Sequence, residues 1–541
     1  MAEAYDYIVV GAGSSGAVVA SRLSEDPATK VLLVEAGGET DDFWINMPAG
    51  IGKLFASRKF NWYFHTEPDP GVGGRKIYWP RGKGLGGTSC INGMIYMRGQ
   101  PCDFDRWRDL GNEGWGWDDV LPYFIRSEAN QQGANTFHGS NGPLSVTDPE
   151  FRHPTSDDFI AAAVNAGIPR VDDLNSSPLP GVAYRQYTIR NGRRHSTYKA
   201  FLEPVRQRAN LKILTDAHVC RVLFEGDEAT GIEVQQGGAR REILAAREVV
   251  LSGGAFGSPQ ILMLSGIGDP AMLARQGIEA RLDLPGVGQN LQDHWHAVCS
   301  WRSTEESSYN ARLRGIGKYL EGIRYLLTRS GCLAIGASPV SAYIRSGDDR
   351  AEADIQLAFS AMTYVYDASG NPVIDPLPGV NGSMVLLTPD SRGHMELASA
   401  DPLQAPLFHP NYLSDPRDIE RSLIGLRMLR KITETAPLSA RIVSEISPGA
   451  NVTSDDQWLD YLKAKGNSAW HPVGTCKMGN DPMAVVDARL RVRGVRRLRV
   501  ADASIMPLLV AGNTNAPCIM IGEKGADMIR QDAAPRRPGL N

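Results

Sequence analysis

Several features of metalloproteins, secreted proteins and membrane proteins are missing from this 541-residue sequence. None of its seven cysteines belongs to a CxxC pair, so the sequence predicts no zinc cluster. An odd number of scattered cysteines fits reduced thiols in the cytoplasm. The chain does not open with a basic segment followed by an apolar stretch, as a signal peptide would. No stretch approaches the roughly 20 apolar residues of a membrane span. We therefore expect a soluble cytoplasmic protein.

An excess of basic charge is also lacking. Lys and Arg total 57 against 61 Asp and Glu, which gives a formal net charge of -4, and the two signs are interspersed. A nucleic-acid-binding surface would show clustered basic residues, so we expect no nucleic-acid partner. The hydrophobic content of 42% allows a large core, and the length predicts two closely joined domains. We expect a monomer or a homodimer.

The first 36 residues do contain a pattern of strand, glycine-rich turn, helix and strand. The turn Gly11-Ala12-Gly13-Ser14-Ser15-Gly16 follows an apolar strand and opens a helix. In this GxGxxG pattern, Gly11 permits a tight turn, Gly13 lets a pyrophosphate approach the backbone, and Gly16 lets helix and strand pack closely. Glu35 ends the second strand 24 residues after Gly11 (35 − 11), where an acid can bind ribose hydroxyls. The pattern predicts dinucleotide binding but does not distinguish FAD from NAD.

Residues 301–465 have a different pattern. Short apolar stretches at 355–359, 384–387 and 394–397 predict strands joined by turns, and residues 367–383 predict a surface loop. Strands joined by loops rather than helices favour an antiparallel sheet. The next stretch predicts a helix with one apolar face formed by Ile419, Leu423, Leu426 and Leu429. An apolar stretch returns at 498–501, so we expect the C-terminal end to complete the first, parallel sheet.

Three further clusters resemble the signatures of one family. They lie at Arg81–Gly93, at Gly254–Gly268, and at His471-Pro472-Val473-Gly474-Thr475 with the later segments 500–504 and 512–517. Together with the N-terminal turn, and in this order, they resemble the glucose–methanol–choline (GMC) oxidoreductase family from about Tyr5 to Ile529. Among its members, the sequence looks most like bacterial FAD-dependent alcohol dehydrogenases and hydroxymethylfurfural-type oxidases. The resemblance selects FAD as the cofactor.

The predicted fold is α/β with an α+β second domain. A Rossmann-like FAD-binding domain is expected from residues 1–155, 205–300 and 466–541. A discontinuous substrate-binding domain, built on an antiparallel sheet with helices, is expected from residues 156–204 and 301–465.

The resemblance also implies which residues hold FAD. Glu35 would hold the ribose, Val219 would meet the adenine through its backbone, and Asp502 with Ala503 would close over the ribityl and diphosphate region. Ala36 is also expected to contact the cofactor. The expected contacts to the pyrophosphate and flavin are Leu85, Gly86, Gly87, Thr88, Asn92, Gly93, Met94, Ile95, Asn515 and Ala516, in addition to the six residues of the turn. Some members attach the flavin covalently through a His two residues after the Ser of the second cluster. Ile91 stands there, so we expect non-covalent FAD.

The resemblance further implies a catalytic pair, His471 and Asn515. Removing hydride from an alcohol leaves a carbonyl only if the hydroxyl proton departs too, and a His is a suitable base at neutral pH. Family members carry His or Asn at the second position. We expect oxidation of a primary alcohol to the aldehyde by hydride transfer to flavin N5, with oxygen or a quinone or dye as acceptor. An FAD-containing hydroxynitrile lyase is the alternative. Trp470, Tyr364 and Tyr366 are candidates for the substrate pocket.

Two other features carry weaker predictions. His294 and His296 lack a second cluster of ligands, so we expect no metal there. Leu313, Ile316, Leu320, Ile323 and Leu327 form one apolar stripe among five basic residues. A basic amphipathic helix can lie on a membrane surface, which leaves peripheral association open, but we expect this stripe to pack against its own domain.

Overall fold

The computed structural model describes residues 4–176, 179–347, 350–366 and 372–533, without the side chains of Tyr366 and Pro372. The described part contains two seven-stranded sheets, and each lies at the centre of one large apolar core.

The first sheet is mainly parallel, as predicted. Its strands, in spatial order, are Leu211–Leu214, Val31–Val34, Ala4–Val10, Ala239–Leu251, Glu228–Gln236 and Ala217–Glu225, with Leu498–Val500 also paired to Ala239–Leu251. The last strand runs parallel to its neighbour, which confirms that the C-terminal end completes this sheet. Every residue of Val31–Val34 is buried, as expected of a strand covered on both faces.

The glycine turn has the geometry that its sequence predicts. Gly11 has φ +99°, and a Cβ there would meet the carbonyl oxygen of Ser252 at 2.4 Å. A Cβ on Gly16 would lie 1.9 Å from the carbonyl oxygen of Gly11, so helix and strand approach too closely for any side chain. The helix begins at Ser14, inside the turn sequence, and ends at Leu23.

The second sheet is antiparallel throughout, as predicted. Its strands, in spatial order, are Ile442–Ser447, Trp295–Ser303, Gly379–Leu386, Ile355–Ser360, Val340–Ile344 and Gly181–Tyr184, with Asn467–Ser468 also paired to Trp295–Ser303. The strands follow the predicted division of the chain except at two places. Trp295–Ser303 and Asn467–Ser468 belong to this sheet, although residues 295–300 and 467–468 were predicted to lie in the FAD-binding domain. The division itself stays a prediction.

Helices cover both sheets. Those described are Ser14–Leu23, Phe43–Asn46, Ile51–Phe55, Pro101–Asp109, Trp117–Ser127, Pro154–Asn165, Gly254–Leu264, Pro270–Arg275, Gly315–Thr328, Pro416–Thr433, Asp455–Lys465 and Asn515–Ala533. Short two-stranded pairs are Phe64–His65 with Tyr78–Trp79, Ile95–Tyr96 with Gln186–Tyr187, Glu128–Asn130 with Leu144–Val146, Ile189–Arg190 with Arg193–Arg194, Ile267–Gly268 with Leu282–Asp283, Tyr364–Tyr366 with Pro372–Ile374, and His394–Glu396 with Leu407–His409. None of the described helices is long and apolar enough to cross a bilayer.

Three expectations differ from the structure. The predicted loop 367–383 lies partly outside the described residues, and its remainder includes the strand Pro372–Ile374 and the start of Gly379–Leu386. His394–Glu396 pairs with Leu407–His409 and not with the second sheet. Four residues of the predicted apolar stripe, Ile316, Leu320, Ile323 and Leu327, are exposed on the helix Gly315–Thr328 and do not pack against their own domain. The fifth, Leu313, precedes the helix and packs against the second core, as expected.

Candidate active site

His471 lies where the second sheet meets the C-terminal part of the first domain. The strand Asn467–Ser468, which pairs with Trp295 and His296, ends three residues before it. After His471, the chain runs along the segment 503–505: Gly474 N–H donates to the Ala503 carbonyl (3.2 Å) and the N–H of buried Cys476 to the Ser504 carbonyl (2.8 Å). Both sheets therefore help to fix the position of the imidazole.

The carboxylate of Asp293 holds the backbone on the N-terminal side of His471. It accepts the His471 N–H at 2.7 Å, the Tyr412 hydroxyl at 2.5 Å and the Ser468 hydroxyl. Burial raises the pKa of Asp293, and these hydrogen bonds work in the opposite direction. Because its oxygens are engaged by three donors, Asp293 acts as a structural anchor for the residue.

Trp470, like the adjacent His471, is held in place by several contacts. Its backbone lies in the left-handed region (φ +63°), which a bulky residue adopts only when the surroundings impose it. The Arg81 guanidinium donates to its carbonyl (2.5 Å), and its indole N–H donates to the Tyr78 carbonyl (3.0 Å). Its ring also makes an edge contact with Phe55 at 4.8 Å. The tryptophan predicted to line the pocket is thus rigidly placed beside His471.

The imidazole of His471 forms one link in a chain of three side chains. His294 Nε2 lies 2.9 Å from the Leu387 carbonyl, His294 Nδ1 lies 3.0 Å from His471 Nδ1, and His471 Nε2 lies 3.0 Å from the Asn513 amide nitrogen. We assign the proton of His294 to Nε2, because the Leu387 carbonyl can only accept, and in this assignment Nδ1 is the acceptor toward His471. His471 must then carry its proton on Nδ1. Nε2 is then unprotonated and accepts the Asn513 N–H, and it can act as a base when a substrate hydroxyl takes the place of that donor.

The surroundings keep both histidines neutral. Burial lowers the pKa of His294 to about 4. Burial also lowers the pKa of His471 well below 6.5, and the nearby groups His294, Arg81, His296 and Arg185 lower it further. The base-competent form of His471 is therefore populated across the neutral pH range.

The asparagine that contacts His471 is Asn513. Asn515, which the sequence analysis assigned to this position, begins the C-terminal helix, and its Oδ1 accepts the Ser14 hydroxyl at 2.7 Å. That contact connects the end of the chain to the glycine turn. Both asparagines belong to one Asn-Thr-Asn stretch, and counting along it does not reveal which amide reaches the imidazole.

Glu35 connects three loops around the glycine turn. One oxygen accepts the Ala12 N–H at 2.8 Å, and the other accepts the Gly37 N–H at 2.8 Å and the Gly84 N–H at 3.1 Å. Ala36 is half-buried next to it. The strand that carries buried Val219 starts beside this point, because Ala217 N–H donates to the Glu35 carbonyl (3.0 Å). The predicted ribose and adenine contacts are therefore neighbours.

The second glycine cluster lies directly over the turn. Gly86 N–H donates to the Ala12 carbonyl at 2.8 Å, and a Cβ on Gly87 would lie 2.8 Å from Cα of Gly13. Leu85 is fully buried there, and Thr88 accepts the Gly82 N–H at 3.1 Å. The backbones of the two glycine-rich segments are thus in contact, as the prediction of a shared cofactor site requires.

The remaining predicted cofactor residues border the same region. Asn92 Oδ1 accepts the Met94 N–H and an Arg194 N–H at 3.0 and 2.9 Å, which holds the loop before the strand Ile95–Tyr96. Gly93 lies against Ala337. Asp502 accepts the Gly254 N–H and the Ser258 hydroxyl at 2.8 and 2.5 Å. Ala516 is buried in the core of the first domain.

The other two pocket candidates lie on a separate two-stranded hairpin. Tyr364 is 37% exposed on the hairpin Tyr364–Tyr366 with Pro372–Ile374, and the side chain of Tyr366 lies outside the described part. Their pocket role stays a prediction. The sequence analysis missed Asn513, Asp293 and the acceptor role of His294. The adjacent residues Asp293 and His294 could have indicated both of these roles, but the sequence analysis considers them only as a metal site.

Comparisons with known proteins show the family to which the chain is similar. The family described as GMC oxidoreductase matches residues 5–296 with one of its sequence models and residues 389–522 with another. The chain is 42% identical to mitochondrial choline dehydrogenase of Mus musculus, over 97% of this chain and 89% of that protein. It is 41% identical to the alcohol dehydrogenase [acceptor] of Pseudomonas putida, over 97% of this chain and 95% of that protein. Pyridoxine 4-oxidase from Mesorbium loti superposes with a TM-score of 0.88 at 33% identity, over 97% of this chain and 99% of the other.

Proposed function

Because this chain belongs to the GMC oxidoreductase family, and is an FAD-dependent enzyme acting on CH–OH groups, we propose that it oxidises a neutral primary alcohol to the aldehyde, with His471 as the general base. The observation that carries the proposal is the hydrogen-bonded row His294–His471–Asn513, which leaves His471 Nε2 unprotonated and places the Asn513 amide beside it.

The residues around the glycine turn fit FAD. The helix Ser14–Leu23 has no side-chain cap at Gly13, so its free N–H groups can receive a diphosphate. A Cβ placed on Gly13 or Gly254 would meet no atom within 4 Å, which indicates open space beside the backbone of both segments. Within the described part of the chain, Asn513 Oδ1 is buried without a hydrogen-bond partner, and it offers an acceptor toward a bound molecule.

When bound, FAD supplies the acceptor for the hydride of the alcohol carbon. His471 takes the hydroxyl proton on Nε2 while its Nδ1 proton stays directed at His294. Asn513 hydrogen-bonds the same oxygen, since an amide can donate to it without competing for its proton. The guanidinium of Arg81, held against Trp470, adds positive potential where negative charge develops on that oxygen.

The charges near His471 favour a neutral substrate over a quaternary ammonium alcohol. Arg81 and Arg185 both lower the pKa of His471, so the potential at the base is positive. Asp293, the carboxylate that contacts the His471 backbone, is already bonded to three donors. A cation held there would face this repulsion, and the three hydrogen bonds that Asp293 already accepts reduce its ability to offset it. We therefore rank neutral aliphatic, aromatic and furanic alcohols above choline, although choline dehydrogenases are among the relatives.

Anaerobic bleaching of the flavin by a panel of alcohols tests the proposal. Hexanol, benzyl alcohol or hydroxymethylfurfural should bleach the flavin faster than choline at equal concentration. His471→Ala should keep bound FAD but bleach roughly 10²- to 10⁴-fold more slowly. Failure of every neutral alcohol to bleach the flavin would overturn the proposal and leave the lyase alternative. For the alcohols that do bleach the flavin, the amount of peroxide released per turnover in air distinguishes oxygen from a quinone-type electron acceptor.

A further inference from the structure

The helix Gly315–Thr328 presents its apolar side to solvent. Its large exposed apolar residues are Ile316 (78% exposed), Tyr319 (68%), Leu320 (60%), Ile323 (53%), Leu326 (54%) and Leu327 (78%). At about 100° per residue, these six fall within an arc of roughly 120°, opposite the buried residues Glu321 and Tyr325. Single exposed apolar residues are ordinary, but a contiguous group of this size marks an interaction surface.

The opposite side attaches this helix to its own domain. The Tyr325 hydroxyl donates to the Gly192 carbonyl at 3.1 Å, and the Tyr325 ring packs with Met47 and Ala334. Buried Glu321 accepts the Cys332 thiol at 3.4 Å. The helix is therefore attached to its domain by the side that carries Glu321 and Tyr325, and its apolar side remains exposed.

A second pair of exposed apolar residues lies nearby. Phe43 and Trp44, on the helix Phe43–Asn46, are 47% and 42% exposed and contact each other edge to face at 5.2 Å. Met47 directly follows that helix and packs against Tyr325. The Met47 contact connects the short helix that carries the two rings to the attached side of the helix Gly315–Thr328. Aromatic residues of this kind are enriched at membrane–water interfaces.

Basic residues flank the apolar arc. Residues 310–330 contain five Lys or Arg and one Glu, a net charge of +4 (5 − 1). Lys318 and Arg324 lie on the two borders between the buried and the apolar side, about 60° from Glu321 in opposite directions. Arg190 and Arg193 are exposed on the hairpin that receives the Tyr325 hydroxyl. Part of this charge is offset, because Arg314 pairs with Glu305 at 3.0 Å and Arg312 and Arg324 lie 3.6 and 3.9 Å from Glu321. The exposed Asp41, two residues before Phe43, adds a negative charge beside the aromatic pair.

We propose that the surface formed by the helix Gly315–Thr328 with Phe43 and Trp44 binds the face of an anionic lipid bilayer. Its apolar side chains enter the boundary between headgroups and acyl chains, and the flanking cations meet lipid phosphates. The positive flank is the reason to choose a lipid surface over a second copy of this chain, because two identical basic borders would repel each other in a symmetric dimer.

This surface is close to the cofactor region along the chain. Nine residues after Thr328, Ala337 N–H donates to the Gly93 carbonyl at 3.3 Å, within the predicted flavin loop. Nine extended residues span at most about 30 Å. Docking would therefore hold the catalytic domain at the bilayer surface, within reach of alcohols that partition into lipid.

Co-sedimentation of the FAD-loaded protein with vesicles tests the inference. We expect binding to phosphatidylcholine vesicles containing about 30% phosphatidylglycerol, weaker binding to phosphatidylcholine alone, and a loss of binding at high salt. The triple change Ile316→Ser, Leu320→Ser, Leu327→Ser should lower the partition coefficient at least roughly tenfold. Lys318→Glu should weaken binding to the anionic vesicles only.

A matched control removes exposed apolar residues elsewhere. Leu403→Ser with Val443→Ser changes side chains that are 56% and 66% exposed and should leave vesicle binding unchanged. Alcohol-dependent flavin bleaching should be normal in both variants, which separates this inference from the proposed function. Absence of vesicle binding, or equal binding by the triple variant, would overturn the inference. So would a dimer in solution that the triple variant converts to a monomer.

Discussion

The side-chain amide nitrogen of Asn513 lies 3.0 Å from Nε2 of His471, the ring nitrogen that carries no proton when His294 accepts from the other. An amide in this position can transfer its hydrogen bond to a substrate oxygen that approaches the same nitrogen. The pair therefore provides a proton acceptor and an oriented donor at one point.

Two asparagine variants should differ in which step they affect. Asn513→Ala should slow anaerobic flavin reduction by roughly 100-fold, because a donor to the reacting oxygen is lost. Asn515→Ala should leave the reduction rate of the loaded enzyme within a few fold and weaken FAD retention, because its Oδ1 holds Ser14 of the glycine turn. Stopped-flow reduction and FAD titration measure the two effects. If Asn515→Ala reduces the flavin slowly and Asn513→Ala reduces it at the normal rate, the sequence-based assignment of Asn515 as the catalytic partner would be correct.

The two sheets could be predicted because their signals are local and repeated. Buried runs such as Val31–Val34 indicate parallel strands, and the spacing from Gly11 to Glu35 places the turn and the acid at one edge. The base itself was found only by resemblance, because a single His carries little information. His294 contacts His471 across 177 residues of sequence, so no local pattern could reveal the proton order in their rings.

The exposed helix shows a different limit of prediction. Periodicity correctly indicated an apolar stripe over residues 313–327, but it does not say which side of a helix meets the protein. Here Glu321 and Tyr325 attach the helix to the domain, and the part of the stripe that lies on the helix is exposed to solvent. Burial depends on the neighbouring elements, which in this case come from residues 43–47 and 189–194.

The rate of flavin reduction should not decline between pH 8 and pH 6. Burial lowers the pKa of His471 well below 6.5, so the neutral base persists as the pH falls through that value. Activity is then lost only when the pH falls through the lowered pKa. Anaerobic reduction measured against pH, with a substrate that does not ionise, checks this. An acidic limb centred at or above 6.5 would show that the imidazole is not held in this environment.

Removing the acceptor at position 294 should impair catalysis without removing the base. In His294→Leu, the Nδ1 proton of His471 loses its acceptor. The ring can then adopt the other tautomer, in which Nε2 carries the proton and cannot act as a base. We expect at least a roughly tenfold slower flavin reduction, since tautomer control of a catalytic histidine carries large effects. His294→Gln, whose side-chain oxygen can still accept, should retain more activity. Equal rates for the two variants would argue against the proton order.

The FAD should leave the polypeptide on acid precipitation. Ile91 is 1% exposed and packs with Ile45, Leu54, Phe60 and Cys90, so a carbon side chain occupies the position where covalent relatives have a histidine. A hydrocarbon side chain cannot bond to the flavin. Yellow colour should appear in the supernatant, and the pellet should be colourless. Flavin fluorescence that stays with the denatured chain on a gel would contradict this expectation.

Alkaline pH should destabilise the protein through His138, which lies away from the site just described. It bridges two buried carboxylates, Glu128 at 2.6 Å and Asp173 at 2.7 Å, and Arg98 contacts Glu128 at 2.9 Å. Burial lowers the pKa of His138, but the hydrogen bonds to Asp173 and Glu128 outweigh it and raise the pKa to about 9. The charged form thus stabilises the folded state fully below the unfolded pKa near 6.5, and this contribution is lost as the pH rises through 9.

Urea unfolding of the holoenzyme at pH 6.5 and pH 9.5 measures this contribution, which should be up to about 3 kcal/mol. His138→Leu should unfold more readily at pH 6.5, by about 3–5 kcal/mol, because it leaves buried Asp173 without its cationic partner and Glu128 with Arg98 alone. Its stability should also change less between the two pH values than that of the parent. If parent and variant lose the same free energy between pH 6.5 and 9.5, the alkaline effect comes from other groups, and His138 is not the charged bridge.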